Sequence, residues 1–165
     1  MINNKPPLVI IMGVSGSGKT TVGKQLSHCL SVPFQDADDY HPQENIEKMS
    51  QGIALTDTDR QPWLKHLNKR IVDCQKTGVV LACSALKEIY RKQLSHTVED
   101  RLVWVYLKGD YSLIYQRMQA RKNHFMSPAM LQLQLDTLEE PNNALVLEIT
   151  HSIDSLVQTI KSTIQ

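Results

Sequence analysis

Five apolar residues, Leu8-Val9-Ile10-Ile11-Met12, run directly into Gly13-Val14-Ser15-Gly16-Ser17-Gly18-Lys19-Thr20. An unbroken apolar run of that length reads as a strand buried on both faces, which belongs to a parallel sheet covered by helices. The segment after it has the spacing of a phosphate-binding loop between a strand and a helix. Its glycines let backbone N–H groups turn inward around phosphate oxygens. Lys19 reaches the outer phosphates, and the Thr20 hydroxyl is placed to ligate magnesium. The loop and the first helical turn, Gly13, Ser15, Gly16, Ser17, Gly18, Lys19, Thr20 and Thr21, are the candidate nucleotide contacts.

Further apolar runs at Val79 to Cys83, Leu102 to Leu107 and Ala144 to Ile149, with a shorter one at Val32 to Gln35, supply the other strands. Helical stripes separate them. Val22, Leu26, Cys29 and Leu30 share one face, as do Leu64, Leu67, Ile71 and Cys74. Ile153, Leu156, Val157, Ile160 and Ile164 line a closing helix that Ser152 can cap. The alternation predicts an α/β fold of three layers, a five-stranded parallel sheet with helices on both faces. At 165 residues the chain is read as a single domain, 1–165. The stretch His124 to Pro141 is longer than a crossover needs and reads as a helical flap, giving a mobile lid at about 122–141. Its Leu131, Leu135 and Leu138 are equally readable as core.

Charge and cysteine content narrow the classes. Eighteen Lys and Arg against seventeen Asp and Glu leave a net charge of +1, too little for a bulk field that recruits nucleic acid or anionic lipid. No apolar run is long enough for a membrane span or a signal-peptide core, so no membrane partner and a cytoplasmic protein are expected. Cys29, Cys74 and Cys83 have no CxxC spacing and occupy or adjoin apolar positions, which reads as buried, reduced thiols.

A phosphate loop alone does not separate a kinase from a GTPase or a motor. There is no Asn-Lys-x-Asp guanine reader, and the strand at Val79 to Cys83 ends in Cys83-Ser84 where a motor carries an acidic magnesium ligand. Three other constellations fall at strand ends or in their loops, and a fourth ends the helix after the fourth strand. In FQDADDYHP, Asp36 and Asp38 face one way if the extended geometry persists. One can then hold magnesium through water while the other accepts a hydroxyl proton; a solvated acidic turn is the competing reading. In LTDTDRQPWL, Pro62 marks a helix start. Arg60 just ahead of it suits an anionic substrate, or pairs with Asp57 or Asp59, and Trp63 reads as core. In CSALKEIYR, Ser84 lies where substrate should sit. Lys87 and Arg91, four apart, share a helical face that can neutralise a carboxylate or merely meet water. In RMQARKNHF, Arg117 and Arg121 share a face and, with Lys122 and His124, enter the flap, as suits a basic lid that places an arginine on the transferring phosphoryl group.

The ordered set MGVSGSGKT, DADDYHP, NIEKM, G-x-x-L-x-D-x-DR-x-PWL, CSALKEIYR, ARKNHF and LEEP resembles the gluconate kinases among the phosphate-loop small-molecule kinases, over nearly the whole chain. The resemblance implies a fold like that of nucleoside monophosphate and shikimate kinases. It also implies ATP and Mg2+ as cofactors, and transfer of the γ-phosphoryl group to the 6-hydroxyl of D-gluconate in sugar-acid catabolism. It gives Thr20 and Asp36 to the metal, and Lys19, Asp38 and Arg121 to catalysis. Asp38, His41, Arg60, Ser84, Lys87 and Arg91 go to the substrate. Arg117 is implied near adenine, Arg121 at the phosphates, and the state is a homodimer. Two positions depart from the family pattern, Ala37 where glycine usually separates the two aspartates, and Asn123 where glycine usually precedes His-Phe. A kinase for another sugar acid or for shikimate, and an ATP-binding regulatory protein without turnover, are the alternatives.

Overall fold

The computed structural model describes residues 4–121 and 127–165. Its centre is a five-stranded, wholly parallel sheet, β1 (Leu8–Met12), β2 (Phe34–Asp36), β3 (Val79–Ala82), β4 (Leu102–Lys108) and β5 (Leu145–Glu148), in the order β2-β3-β1-β4-β5. The helices are α1 (Lys19–Leu30), α2 (Gln43–Ser50), α3 (Asp57–Asp73), α4 (Glu88–Ser95), α5 (Tyr111–Gln119), α6 (Pro128–Thr137) and α7 (Ile153–Ile164). β1 is paired on both edges and fully buried on both faces. Because successive side chains alternate across a strand, Leu8, Ile10 and Met12 enter one core with Leu64, Leu67 and Ile71 of α3 and Leu94 of α4. Val9 and Ile11 enter the other, with Val22 and Leu26 of α1 and Leu156, Val157 and Ile160 of α7. These are the three layers expected from the sequence. Chain order reverses on either side of β1, so its carboxyl end opens onto the crevice where open α/β sheets bind ligands.

Several local expectations are corrected. Cys29 is exposed, and the buried side of α1 is Val22, Gly23, Leu26 and Ser27. The helix rolls toward Gly23 because the ring of Phe34 lies against it; a Cβ there would stand 2.6 Å from Phe34 Cε2. Cys74 is half-buried and only Cys83 is fully buried, its thiol pushed up to about 12 by that burial. The run at Ala144 to Ile149 forms β5, but as an edge strand with alternating exposure, Val146 facing outward. Helix α3 starts five residues before Pro62. Thr56 accepts from the Asp59 N–H while the Asp59 carboxylate accepts from the Thr56 N–H, a reciprocal cap, and Pro62 lies within the helix. Arg60 is therefore in the first turn of α3 rather than ahead of a helix.

In the predicted flap, the described part is α6 and the segment after it. Leu131 is fully buried in the second core, Leu135 packs beside it, and Leu138 packs against the first. Residues 122–126, with Lys122, Asn123 and His124, lie outside the described residues. Among the described residues no helix is long and apolar enough to cross a membrane.

The reciprocal cap fixes where α3 begins, and so where Arg60 stands. Thr56→Ala should lower the unfolding free energy by about 1 kcal/mol in urea titration, with the slope unchanged.

Candidate active site

At the carboxyl end of β1 the chain turns through Gly13, Gly16 and Gly18, all with positive φ (147°, 81° and 100°). The requirement differs between them. A side chain on Gly16 would run into Met118 Cγ at 2.6 Å, whereas Gly18 faces open space, which leaves its backbone approachable by a ligand. Gly13 N–H donates to Ser84 O and Ser17 N–H to Val14 O, which ties the loop to the end of β3 and closes it on itself. The N–H groups of Gly16, Gly18, Lys19 and Thr20 find no acceptor among the described residues. They stand at the amino end of α1, the positive end of its dipole, where anions bind. Lys19 lies back over the loop, its Nζ donating to Val14 O at 2.9 Å. Burial lowers its pKa, opposed chiefly by the charge of Asp38.

The acidic residues reach the same cleft by an unexpected route. Extended geometry stops at Asp36, and residues Ala37–Tyr40 form a tight 3-10 turn. Asp36 caps that turn, its Oδ1 accepting the Asp38 N–H at 3.0 Å. Its Oδ2 accepts from Thr20 Oγ1 at 3.3 Å, bringing together the two groups assigned to magnesium. Hard oxygen donors of this kind suit that ion, which keeps most of its ligands as water and phosphate. Among the described residues no cluster of three or more His, Cys, Asp or Glu offers an all-protein metal site. Burial, and next the charge of Asp36, raise the Asp38 pKa against the pull of Lys19. Ala37 is buried with ordinary φ, so no glycine is required between the aspartates. Its carbonyl accepts the Trp63 indole N–H at 2.7 Å, which confirms Trp63 as core and clamps the turn onto α3.

One cleft is lined by Ser15, Gly16, Gly18, Lys19, Thr20, Asp36, Asp38, Ala82, Cys83, Ser84 and Arg121. Not every candidate residue enters it. Thr21 is exposed on the first turn of α1. Arg117 donates to Ile149 O past the end of β5, while Arg121 follows the end of α5, so the two arginines diverge instead of sharing a face. Lys87 and Arg91 diverge as well, because Lys87 is the extended N-cap of α4 and not part of the helix. Lys87 pairs with Asp57 at 3.1 Å, and Tyr90 donates to the same carboxylate. Arg91 is 7% exposed, its guanidinium donating to Ala85 O and Glu139 O at 2.7 Å each.

Arg60 pairs with neither Asp57 nor Asp59, since Asp59 is taken by Lys48 at 2.8 Å. It donates to Leu55 O at 2.6 Å and lies 5.3 Å above the Tyr90 ring, which leaves its charge without a carboxylate among the described residues. His41 stacks on Trp63 with ring centroids 4.1 Å apart, and Asn45 bridges its Nδ1 to Asp59 O. One residue escaped the sequence reading. Gln134 of α6 accepts from Ser15 N–H at 2.8 Å and donates to Ser15 Oγ at 3.2 Å. The available signal was a polar residue three positions after Leu131, on the helix face that turns toward the body.

Comparison with known proteins follows the same lines. The family model for shikimate kinase matches residues 15–164. A thermoresistant gluconokinase of Escherichia coli is 42% identical, the match covering 94% of this chain and 91% of that one. A gluconokinase of Arabidopsis thaliana is 40% identical over 93% of this chain and 89% of its own. The crystal structure of a gluconokinase from Sinorhizobium meliloti superimposes with a TM-score of 0.88 at 39% identity, covering 96% of this chain and 91% of that one. Similarity thus extends over nearly the whole chain.

The stacked histidine offers a direct check. Burial first, and the Arg60 charge second, lower its pKa to about 4. Its ring is neutral in the folded protein at pH 6, and the C–H resonances of His41 should titrate near 4 by NMR rather than near the ordinary 6.5. Because the folded pKa is depressed, its contribution to stability is full above about 6.5 and is lost as pH falls toward 4.

Proposed function

This chain belongs to the gluconokinase family, and we infer that it transfers the γ-phosphoryl group of ATP to the 6-hydroxyl of D-gluconate, giving 6-phosphogluconate. The observation that carries the inference is one cleft holding phosphate-loop donors, a cation, a hydroxyl ligand for metal and two carboxylates, in a chain about 40% identical to gluconokinases along most of its length. The family model bears the name of shikimate kinase, but the relatives at that identity carry gluconokinase names, so gluconate is the favoured acceptor. A regulatory protein without turnover would have no use for the carboxylates at the acceptor side.

The residues divide the work as follows. The free N–H groups of Gly16, Gly18, Lys19 and Thr20 bind the inner phosphates at the amino end of α1. Lys19 exchanges the Val14 carbonyl for the outer phosphates, and Arg121 approaches the transferring group from the other side of the cleft. Thr20 and Asp36 would hold magnesium, which supplies charge neutralisation on the phosphates. Asp38 orients the acceptor hydroxyl and takes its proton as the new O–P bond forms and the bridging O–P bond breaks, the electron pair leaving with ADP. Its raised pKa makes it a better base than an ordinary carboxylate. Catalysis is then mostly positioning and charge placement.

On the acceptor side, Arg60 pairs with no carboxylate among the described residues and is the proposed partner of the gluconate carboxylate. Neutral His41 and Ser84 are the proposed hydroxyl contacts, and Arg117 the residue nearest adenine. Lys87 and Arg91 can join only in addition to the partners they already hold. A lid in the region 122–141 that excludes water, and a homodimeric, cytoplasmic protein, complete the proposal; the lid and the dimer are supported by the family resemblance, and the location by the lack of a long apolar run in the sequence.

ADP release from magnesium-ATP should depend on D-gluconate and should not be driven by shikimate, D-glucose or nucleoside monophosphates. Release driven by another acid instead would move the acceptor assignment to that acid. Lys19→Ala should cut kcat by about 10²–10³-fold, as loss of one donor to developing charge does. Asp38→Asn should cut it by about 10²–10⁴-fold with circular dichroism unchanged, and near-normal turnover would remove Asp38 from the mechanism.

A further inference from the structure

The contact between Gln134 and Ser15 joins α6 to the phosphate loop across 119 residues of sequence, and it is a two-point contact. The carboxamide oxygen takes the Ser15 N–H and the carboxamide nitrogen gives to the Ser15 hydroxyl, so one side chain engages both the backbone and the hydroxyl of Ser15. Leu131, one turn earlier and fully buried, fixes the helix backbone behind this contact. Gln134 is therefore held at the loop by packing as well as by hydrogen bonds. Its neighbours Gln132 and Leu133 are exposed and make no such contact.

Ser15 occupies a particular place in the loop. Gly18 is the N-cap of α1, and the donors from Gly16 to Thr20 surround the helix amino end, where the inner phosphates belong. Ser15 lies upstream of them, in the cleft that Asp38, Ser84 and Arg121 also line, and on the proposed reading of that cleft the terminal phosphoryl group meets its acceptor there. Its N–H is already spent on Gln134, whereas the inner donors are free. One N–H cannot serve both acceptors at full strength. A phosphate oxygen is the stronger of the two, because a bond to a charged acceptor is roughly twice as strong as one to a neutral carbonyl.

We propose that Gln134 is a specificity-determining residue that occupies the Ser15 amide until a γ-phosphoryl group displaces it, so that ATP and ADP are distinguished at the loop. The proposal rests on the ATP reading of the cleft. ADP fills the inner donors without disturbing Gln134, while ATP must break the Gln134 contact and thereby reports its terminal phosphate to α6. The carboxamide acts on the reaction through Ser15, which makes it a positioning residue.

The test is calorimetric titration of the full chain with magnesium-ADP and with the β,γ-imido analogue of ATP, comparing the unsubstituted protein with Gln134→Met and Gln134→Glu. Methionine keeps the length of the side chain and removes the competing acceptor. It should tighten binding of the imido analogue by about three- to tenfold, the worth of one net hydrogen bond, and leave ADP unchanged. Glutamate keeps the acceptor and adds a charge facing the terminal phosphate. It should weaken the analogue by at least as much and affect ADP less. Equal shifts for both nucleotides in either variant would mark a general disturbance of the loop and overturn the proposal, as would no shift in both. If the unsubstituted protein binds neither nucleotide, the ATP reading fails first and the proposal with it.

Discussion

Pairing of β1 on both edges governs the rest of the molecule. Its five residues are fully buried, so every backbone polar group in it must be satisfied by β3 and β4. Burial also fixes register, because a slip of one residue would exchange Leu8, Ile10 and Met12 for Val9 and Ile11 between two cores built on different helices. The phosphate loop inherits that precision. It leaves a strand whose position is fixed, and the Gly13 contact to Ser84 O sets it against the end of β3.

The second constraint is the tight turn after β2. Asp36 caps the turn with one carboxylate oxygen and meets the Thr20 hydroxyl with the other, so one side chain both shapes the backbone and ties it to the first turn of α1. Trp63 holds the turn from behind through the Ala37 carbonyl, and His41 stacks on the same indole. Ala37 is accommodated because the clamp uses its carbonyl and its φ is ordinary. At this position the turn does not need the conformational freedom of the family's usual glycine.

The parts of this arrangement legible in the sequence are those with short-range causes. The strands were visible as uninterrupted apolar runs, and the loop as glycine spacing between a strand and a helix. Readings that extended a helical period beyond its real boundaries went astray. Lys87 and Arg91 are four apart, but Lys87 lies outside α4, so the common face never forms. Pro62 suits a helix start, but the reciprocal cap of Thr56 and Asp59 begins α3 earlier. Cys29 satisfied the period of α1, yet the ring of Phe34, brought by β2, decides which side of that helix is buried. Gln134 had no local signature for its partner, since a contact over so long a separation exists only after the sheet has assembled.

The burial of Arg91 carries one more consequence. Its guanidinium bonds Ala85 O and Glu139 O, while Glu139 N–H donates to Leu86 O and Glu88 N–H to the Glu139 carboxylate. The three of these bonds that reach Glu139 close a ring of chain that contains α4, β4, α5 and α6. A disulfide at this junction would stabilise by reducing the entropy of the open chain, whereas these hydrogen bonds are absent from the open chain and leave its entropy untouched. This knot needs no sulfur and is indifferent to reductants. It forms only when both ends have reached their native positions, so it secures the finished ring without constraining the search for it.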